Sequence, residues 1–230
     1  MGKIEDLDFK KNSLRNINSF LQNINHKTNN RNFIIKNPNG EHAICAGLKS
    51  EMLVNIKGHV GYYCGGMNQK ANITVEGNAG TGLGENMMSG LIHVKGNVSQ
   101  SAGATAHGGT IIIDGNASSR CGISMKGINI IVNGSVGHNS AFMAQAGNLV
   151  VCGDADDGLG DSIYETIIFL KGKINHLGAD CVEKEMKEEH INKLAALLDE
   201  ANLDYDPNQF RRYGSNRKLY NFDVKNIDEY

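Results

Sequence analysis

Glycine recurs at positions 58, 77, 96, 115, 134, 153 and 172, a strict interval of nineteen with no insertion or deletion. Each glycine is preceded at −4 and −2 by apolar residues: Val54/Ile56, Ile73/Val75, Ile92/Val94, Ile111/Ile113, Ile130/Val132, Leu149/Val151 and Ile168/Leu170. Val60, Ala79, Val98, Ala117, Val136, Ala155 and Ile174 follow at +2, and a second glycine recurs at +7 (65, 84, 103, 122 and 160, with Ala141 once). The −4/−2 pair has the period of a short strand with one buried face. The glycine that follows removes Cβ clashes at a corner. A fixed period of this length is the mark of a solenoid. The spacing predicts a mainly β fold, a single-stranded parallel β-helix of about seven nineteen-residue coils. At one strand separation per coil the rod is on the order of 30 Å long.

Residues nineteen apart become neighbours on adjacent coils, so other columns test the register. At +1 stand Asn78, Asn97 and Asn116, expected to form an amide ladder. At −1 stand Lys57, Glu76, Lys95 and Asp114, whose alternating charges predict cross-coil pairs. A left-handed hexapeptide helix would show a six-residue beat, and calcium-binding nonapeptide repeats would show G-G-x-G-x-D; neither is present. The stretch GTGLGE at 80–85 resembles a phosphate cradle only superficially. Its spacing is G-x-G-x-G, no helix can open before the next glycine, and no Gly-Lys-Ser/Thr follows. Its glycines belong to the coil.

The flanks of the repeat are expected to close the rod. Residues 1–51 read as a capping segment, with Leu14, Ile17, Leu21 and Ile24 on one helical face, Ser13 as N-cap and an irregular first coil after them. Residues 52–179 are the β-helix. In 180–230 an amphipathic helix is expected to start with Asp180 and Glu183 as a capping-box pair and to carry an Ile191, Leu194, Leu198, Ala201 stripe. An extended tail is expected beyond about residue 203.

Composition excludes several function classes. A net charge of −2 over 230 residues and a pI near 6.4 leave no electrostatic case for nucleic acid or an anionic membrane. No apolar run approaches a membrane span, and the polar first thirty residues are not a secretory signal. Five cysteines without a C-x-x-C pair predict reduced thiols and a cytoplasmic location.

Residues with chemical potential have a place in the repeat. Cys64 sits at +6, where other coils carry Leu83, Ala102, Cys121 and Leu159, so a buried thiol is expected rather than a nucleophile. Asp154, Asp156, Asp157, Asp161 and Glu165 approach the spacing of a calcium loop, but Leu159 occupies its glycine position; an acidic solvated edge is expected. Histidines 59, 93, 107 and 138 fall at different offsets, and His107 is expected to hydrogen-bond within its coil. The methionines of ENMMSG, ISMKG and AFMAQAG read as a packed or partner-facing surface, and the aromatics and arginines of FRRYGSNRKLYNF as a tail docking on protein. No catalytic, cofactor-binding or metal-ligating residue is assigned.

The motifs GHVGYYCGGMNQKANITVEGNAGTGLGENMMSG, SAGATAHGG, RCGISMKG, GHNSAFMAQAG and CGDADDGLGDSIYE, with LGADCVEKEM and RRYGSNRKLYNF after them, resemble the GXGXG domain. That domain closes the glutamate synthase large subunit as a right-handed β-helix. The resemblance covers nearly the whole chain and fits the free-standing form, in which an amidotransferase subunit, a β-helix subunit and an FMN/iron–sulfur synthase subunit are separate, as in N-methylglutamate synthases and split archaeal glutamate synthases. It implies a non-catalytic scaffold in a complex making glutamate or N-methylglutamate. The nucleophile, flavin and clusters would belong to the partners, with a homo-oligomer also open. Two alternatives are the β-helix subunit of formylmethanofuran dehydrogenase, which shares this architecture, and a stand-alone β-helix enzyme acting on polysaccharide. The second is disfavoured because Asp114, Arg120 and Asp154 share no offset.

Overall fold

The computed structural model describes residues 4–25, 27 and 31–216. Seven strands follow the nineteen-residue interval: β3 (Leu53–Lys57), β4 (Asn72–Val75), β5 (Leu91–Val94), β6 (Thr110–Ile113), β7 (Lys126–Val132), β8 (Ala146–Val151) and β9 (Ile167–Leu170). Each pairs in parallel with the next, so that Ile73, Ile92, Ile111 and Ile130 stand in one line across the sheet. The +2 residues form a second, one-residue ladder from Val60 through Ala79, Val98, Ala117, Val136 and Ala155 to Ile174. The fold is therefore a parallel β-helix of about seven turns. Its interior is filled by the −4, −2, +2, +6 and +10 columns, whose isoleucines, valines and leucines are nearly all buried. Each such side chain contributes roughly 1.5–3 kcal/mol on burial.

The two glycine columns answer to different constraints. At the +7 column the backbone is left-handed in the six coils from Gly65 to Gly160, with φ between 57° and 72°, Ala141 included. The glycines ending each strand are not left-handed, apart from Gly58. They are required because the coil beneath is too close. A Cβ on Gly115 would lie 2.4 Å from Asn97 Oδ1 and 2.8 Å from the Gly96 carbonyl oxygen, to which the Gly115 N–H donates at 3.1 Å.

The +1 column forms a ladder of another kind than the amide-to-amide one expected. Asn78 Oδ1 accepts from the Asn97 N–H, Asn97 from Asn116 and Asn116 from Ser135, each at 2.8 Å. His59 Nδ1, Ser135 Oγ and Asp154 Oδ1 do the same for Asn78, Asp154 and Lys173. The position demands an acceptor of short reach, not an amide, which is why His, Asn, Ser and Asp all serve there. Lys173, which has no acceptor, stands on the last coil, where no further +1 N–H follows.

Both ends depart in part from the sequence reading. The irregular first coil is present: Phe33 and Ile35 stand beside Val54 and Ile56, two residues more than the regular interval. β2 (Asn32–Lys36) joins β3 in register, and β1 (Ile4–Asp8), an unforeseen strand, extends the sheet beyond β2. Between them α1 (Leu14–Gln22) carries the expected Ser13 cap, with Asn16 N–H donating to Ser13 Oγ at 3.3 Å. Its Ile17 and Leu21 seal the first coil, and Asn18 and Gln22 bond the Ala43 and Ala46 carbonyls at 2.8 Å.

At the other end, Asp180 and Glu183 do not start a helix. Cys181–Lys184 is strand β10, and the helix α2 runs Glu188–Glu200 with Lys187 as its N-cap. Among the described residues the expected tail forms a 3-10 turn (Pro207–Gln209) and strand β11 (Arg211–Ser215). β11 lies antiparallel between β9 and β10. The cause is the open edge of β9, whose unpaired N–H and carbonyl groups need partners that another coil no longer supplies.

Candidate functional site

The outer face of the sheet changes character along the rod. Its −3 column reads Asn55, Thr74 and His93 in the first three coils, then Ile112, Ile131, Val150 and Phe169. Those last four are buried under Leu194, Leu197, Leu198 and Ala201 of α2, together with Phe210. Leu197 takes the place expected for Ile191, which is only half-buried. Tyr205 extends the cover, its hydroxyl donating to Asn133 Oδ1 at 2.9 Å and its ring lying 5.3 Å from Lys171 Nζ. On the uncovered part, Lys57 pairs with Glu76 at 3.3 Å and Lys95 with Asp114 at 3.4 Å, as the −1 charges predicted. Hydrogen bonds from Asn55, then Lys57, hold the Glu76 carboxyl below its ordinary range.

Cys64 and Cys121 point inward and are fully buried, and burial pushes each thiol up to about 12. Neither is a nucleophile in that state. Among the carboxylates of the acidic edge, Asp154 holds the +1 ladder, Asp156 accepts the Asp157 N–H, Asp157 pairs with His176 at 2.8 Å and Asp161 accepts from Ser162. His93 Nε2 lies 2.7 Å from Asp114 Oδ1. His107 departs from expectation. Its N–H bonds the Met87 carbonyl, but its ring is exposed and makes no hydrogen bond among the described residues. Asp114, Arg120 and Asp154 lie at −1, +5 and +1, so the structure does not bring them together. Among the described residues no group of three or more His, Cys, Asp or Glu could hold a metal ion, and no helix is long and apolar enough to cross a membrane. Of the tail, Phe210 and Tyr213 are buried, and Arg211 and Arg212 donate to the carbonyls of Gly172 and Glu185 at 2.8 Å. Arg217, Lys218, Tyr220 and Phe222 lie outside the described residues.

The remaining side of each coil is an arc over offsets +3 to +12. Left-handed residues alternate along it: +5 (Tyr63, Ser101, Arg120, Asn139), +7, and +9 (Met67, Asn86, Thr105, Ser124, Met143, Ser162). The N–H groups at +5 and +9 donate to the next coil, as Ser101 to Ser119 and Asn86 to Ala104, while the +7 N–H donates to the previous one, as Gly84 to Cys64. Recurrence in every coil makes this geometry a property of the arc and not local strain at one site. The methionines divide on it. Met87 and Met125 at +10 are fully buried, whereas Met67 and Met143 at +9 and Met88 at +11 are exposed. A one-residue shift along an alternating arc turns the side chain from the core to solvent, so proximity of methionines in sequence did not reveal their fates.

The chain is thus a β-solenoid whose polar columns link coil to coil, with its sheet face half covered by its own helix. No family model matches it. It is 57% identical over 225 residues to Protein GlxC of Rhizobium meliloti (strain 1021), covering 97% of this chain and 99% of that protein. The chain belongs to the family of that protein.

Proposed function

We propose that this chain is the non-catalytic β-helix subunit of a glutamate-synthase-type complex, holding an amidotransferase subunit and an FMN/iron–sulfur synthase subunit at fixed separation. The observation that carries the reading is where the resembling motifs lie. GHVGYYCGGMNQ, GNAGTGLGENMMSG, SAGATAHGG, RCGISMKG, GHNSAFMAQAG and CGDADDGLGDSIYE run along the arcs of six successive coils. A rod of stacked repeats offers a stiff surface of defined length, suited to spacing two active sites. The buried thiols and the carboxylates bound within the stack favour a supporting role over chemistry in this chain. Co-expression with amidotransferase and synthase subunits tests it. A stable complex with a flavin spectrum is expected, while the isolated chain turns over neither glutamine nor 2-oxoglutarate. Robust turnover by the isolated chain overturns the proposal.

A further inference from the structure

The arcs differ from the rest of the molecule in charge. Of the fifty residues at offsets +3 to +12 in the five coils that begin at Gly58, Gly77, Gly96, Gly115 and Gly134, Lys70, Glu85, Arg120 and Lys126 are the charged ones, against 21% charged residues in the whole chain. Four of the six large apolar side chains exposed among the described residues project from these arcs: Tyr62 at 60%, Met67 at 47%, Met88 at 48% and Met143 at 43%. Charge depletion with aromatic and methionine enrichment is the composition of an interface core. Flexible thioethers suit such a surface. The sixth arc is different, carrying Asp156, Asp157 and Asp161, whose sole ion pair among the described residues is Asp157 with His176.

We infer that the arc face is the docking surface of the rod, and that its occupant is a different protein subunit with an uncharged apolar strip ending in basic residues. The inference rests on the proposed function and adds to it the face and the chemistry of the partner. The charge pattern selects against a second copy. Two rods side by side in parallel would set Asp157 and Asp161 against their own counterparts. Antiparallel, the acidic arc would meet the segment between β2 and β3 that precedes the Gly58 coil, where Glu41 and Lys49 cancel and no net positive charge is offered. The sheet face is a weaker candidate, because α2 covers four of its coils and ion pairs line the rest. The exposed arc of the first five coils spans about 20 Å along the rod at one strand separation per coil, a length that a standard protein interface can cover.

The test uses the assembled complex with the amidotransferase and synthase subunits. A photo-crosslinking p-benzoylphenylalanine replaces Met88 or Met143 on the arc, or Asn72 on the outer sheet face. Crosslinks from 88 and 143 to one of the partner subunits, and none from 72, are expected. Met67→Arg with Met88→Arg should weaken association at least tenfold while leaving thermal unfolding unchanged. Asp157→Asn with Asp161→Asn should slow association and flatten its salt dependence. Crosslinks from the arc to a second copy, crosslinks confined to position 72, or none at all overturn the inference although the complex stands. If no complex forms, the proposed function fails and takes this inference with it.

Discussion

Exchanging glycine and alanine at one offset of the coil separates the two reasons for glycine at +7. In Gly103→Ala the new Cβ meets Ile130 Cδ1 at 2.5 Å and Ile111 Cδ1 at 3.3 Å, both on fully buried side chains. A left-handed alanine costs about 1–2 kcal/mol, and crowding a packed core costs about 1–3 kcal/mol. The stiffer unfolded chain returns about 0.4–1 kcal/mol. The net expectation is a loss of about 2–4 kcal/mol. The reverse exchange, Ala141→Gly, relieves the left-handed alanine at φ 57°. It forfeits a buried methyl worth about 0.8 kcal/mol and stiffness in the unfolded chain, so it should fall within about 1 kcal/mol of neutral. Gly122→Ala should lie between, because the nearest atom there is Met125 Sδ at 3.1 Å. Urea unfolding followed by circular dichroism measures all three. Equal and opposite shifts at 103 and 141 would mean that backbone conformation alone sets the preference. A neutral Gly103→Ala would refute the close approach altogether.

Four further outcomes are expected. Asn97→Ala should destabilise by about 0.5–1.5 kcal/mol through loss of one acceptor, while Asn97→Ser and Asn97→Asp keep most of the stability; equal losses in all three would show that the amide itself matters. Leu194→Ala, removing a fully buried side chain of α2, should cost about 2–5 kcal/mol, read in the same assay; an unchanged midpoint would mean that the helix does not hold the sheet face. Native protein at pH 8 should leave all five thiols unmodified by an aromatic disulfide reagent until denaturant is added, since Cys64, Cys121, Cys152 and Cys181 are each pushed up to about 12 and the buried Cys45 well above its ordinary value; a fast-reacting thiol would contradict that. Burial first, and Arg212 next, lower the His190 pKa from its ordinary 6.5. The neutral ring accepts the Lys187 N–H at 3.2 Å, so this contribution to stability is full above pH 6.5 and declines as pH falls through the lowered value. His190→Gln should flatten unfolding midpoints measured between pH 7.5 and 5, and an unaltered slope would remove His190 from the account.

How far the sequence reached differs from place to place. The helix at 14–22 was legible because its apolar face and Ser13 cap are local signals. The helix at 188–200 was legible in its pattern but not in its start. Asp180 and Glu183 imitate a cap, and only the open edge of β9 explains why Cys181–Lys184 is drawn into the sheet. The cover over the outer sheet face had a signal that went unread: the −3 column turns from Asn55, Thr74 and His93 to Ile112, Ile131, Val150 and Phe169. That change tells that something covers the later coils without saying which segment does.

The rod, its nineteen-residue register, its inward columns and the cross-coil charge pairs are all written in the order of the residues. Translation by one strand separation places each residue in nearly the same surroundings as its counterpart nineteen earlier, so one environment is written seven times and is readable as a period. Folding in three dimensions was needed to settle the two ends, the docking of α2, and the separation of buried Met87 and Met125 from exposed Met67, Met88 and Met143. At the ends no counterpart repeats, and the pairing groups come from segments distant in the chain. On the arc, alternating left-handed residues reverse the side-chain direction within one or two positions, and that sense is set by the backbone of neighbouring coils.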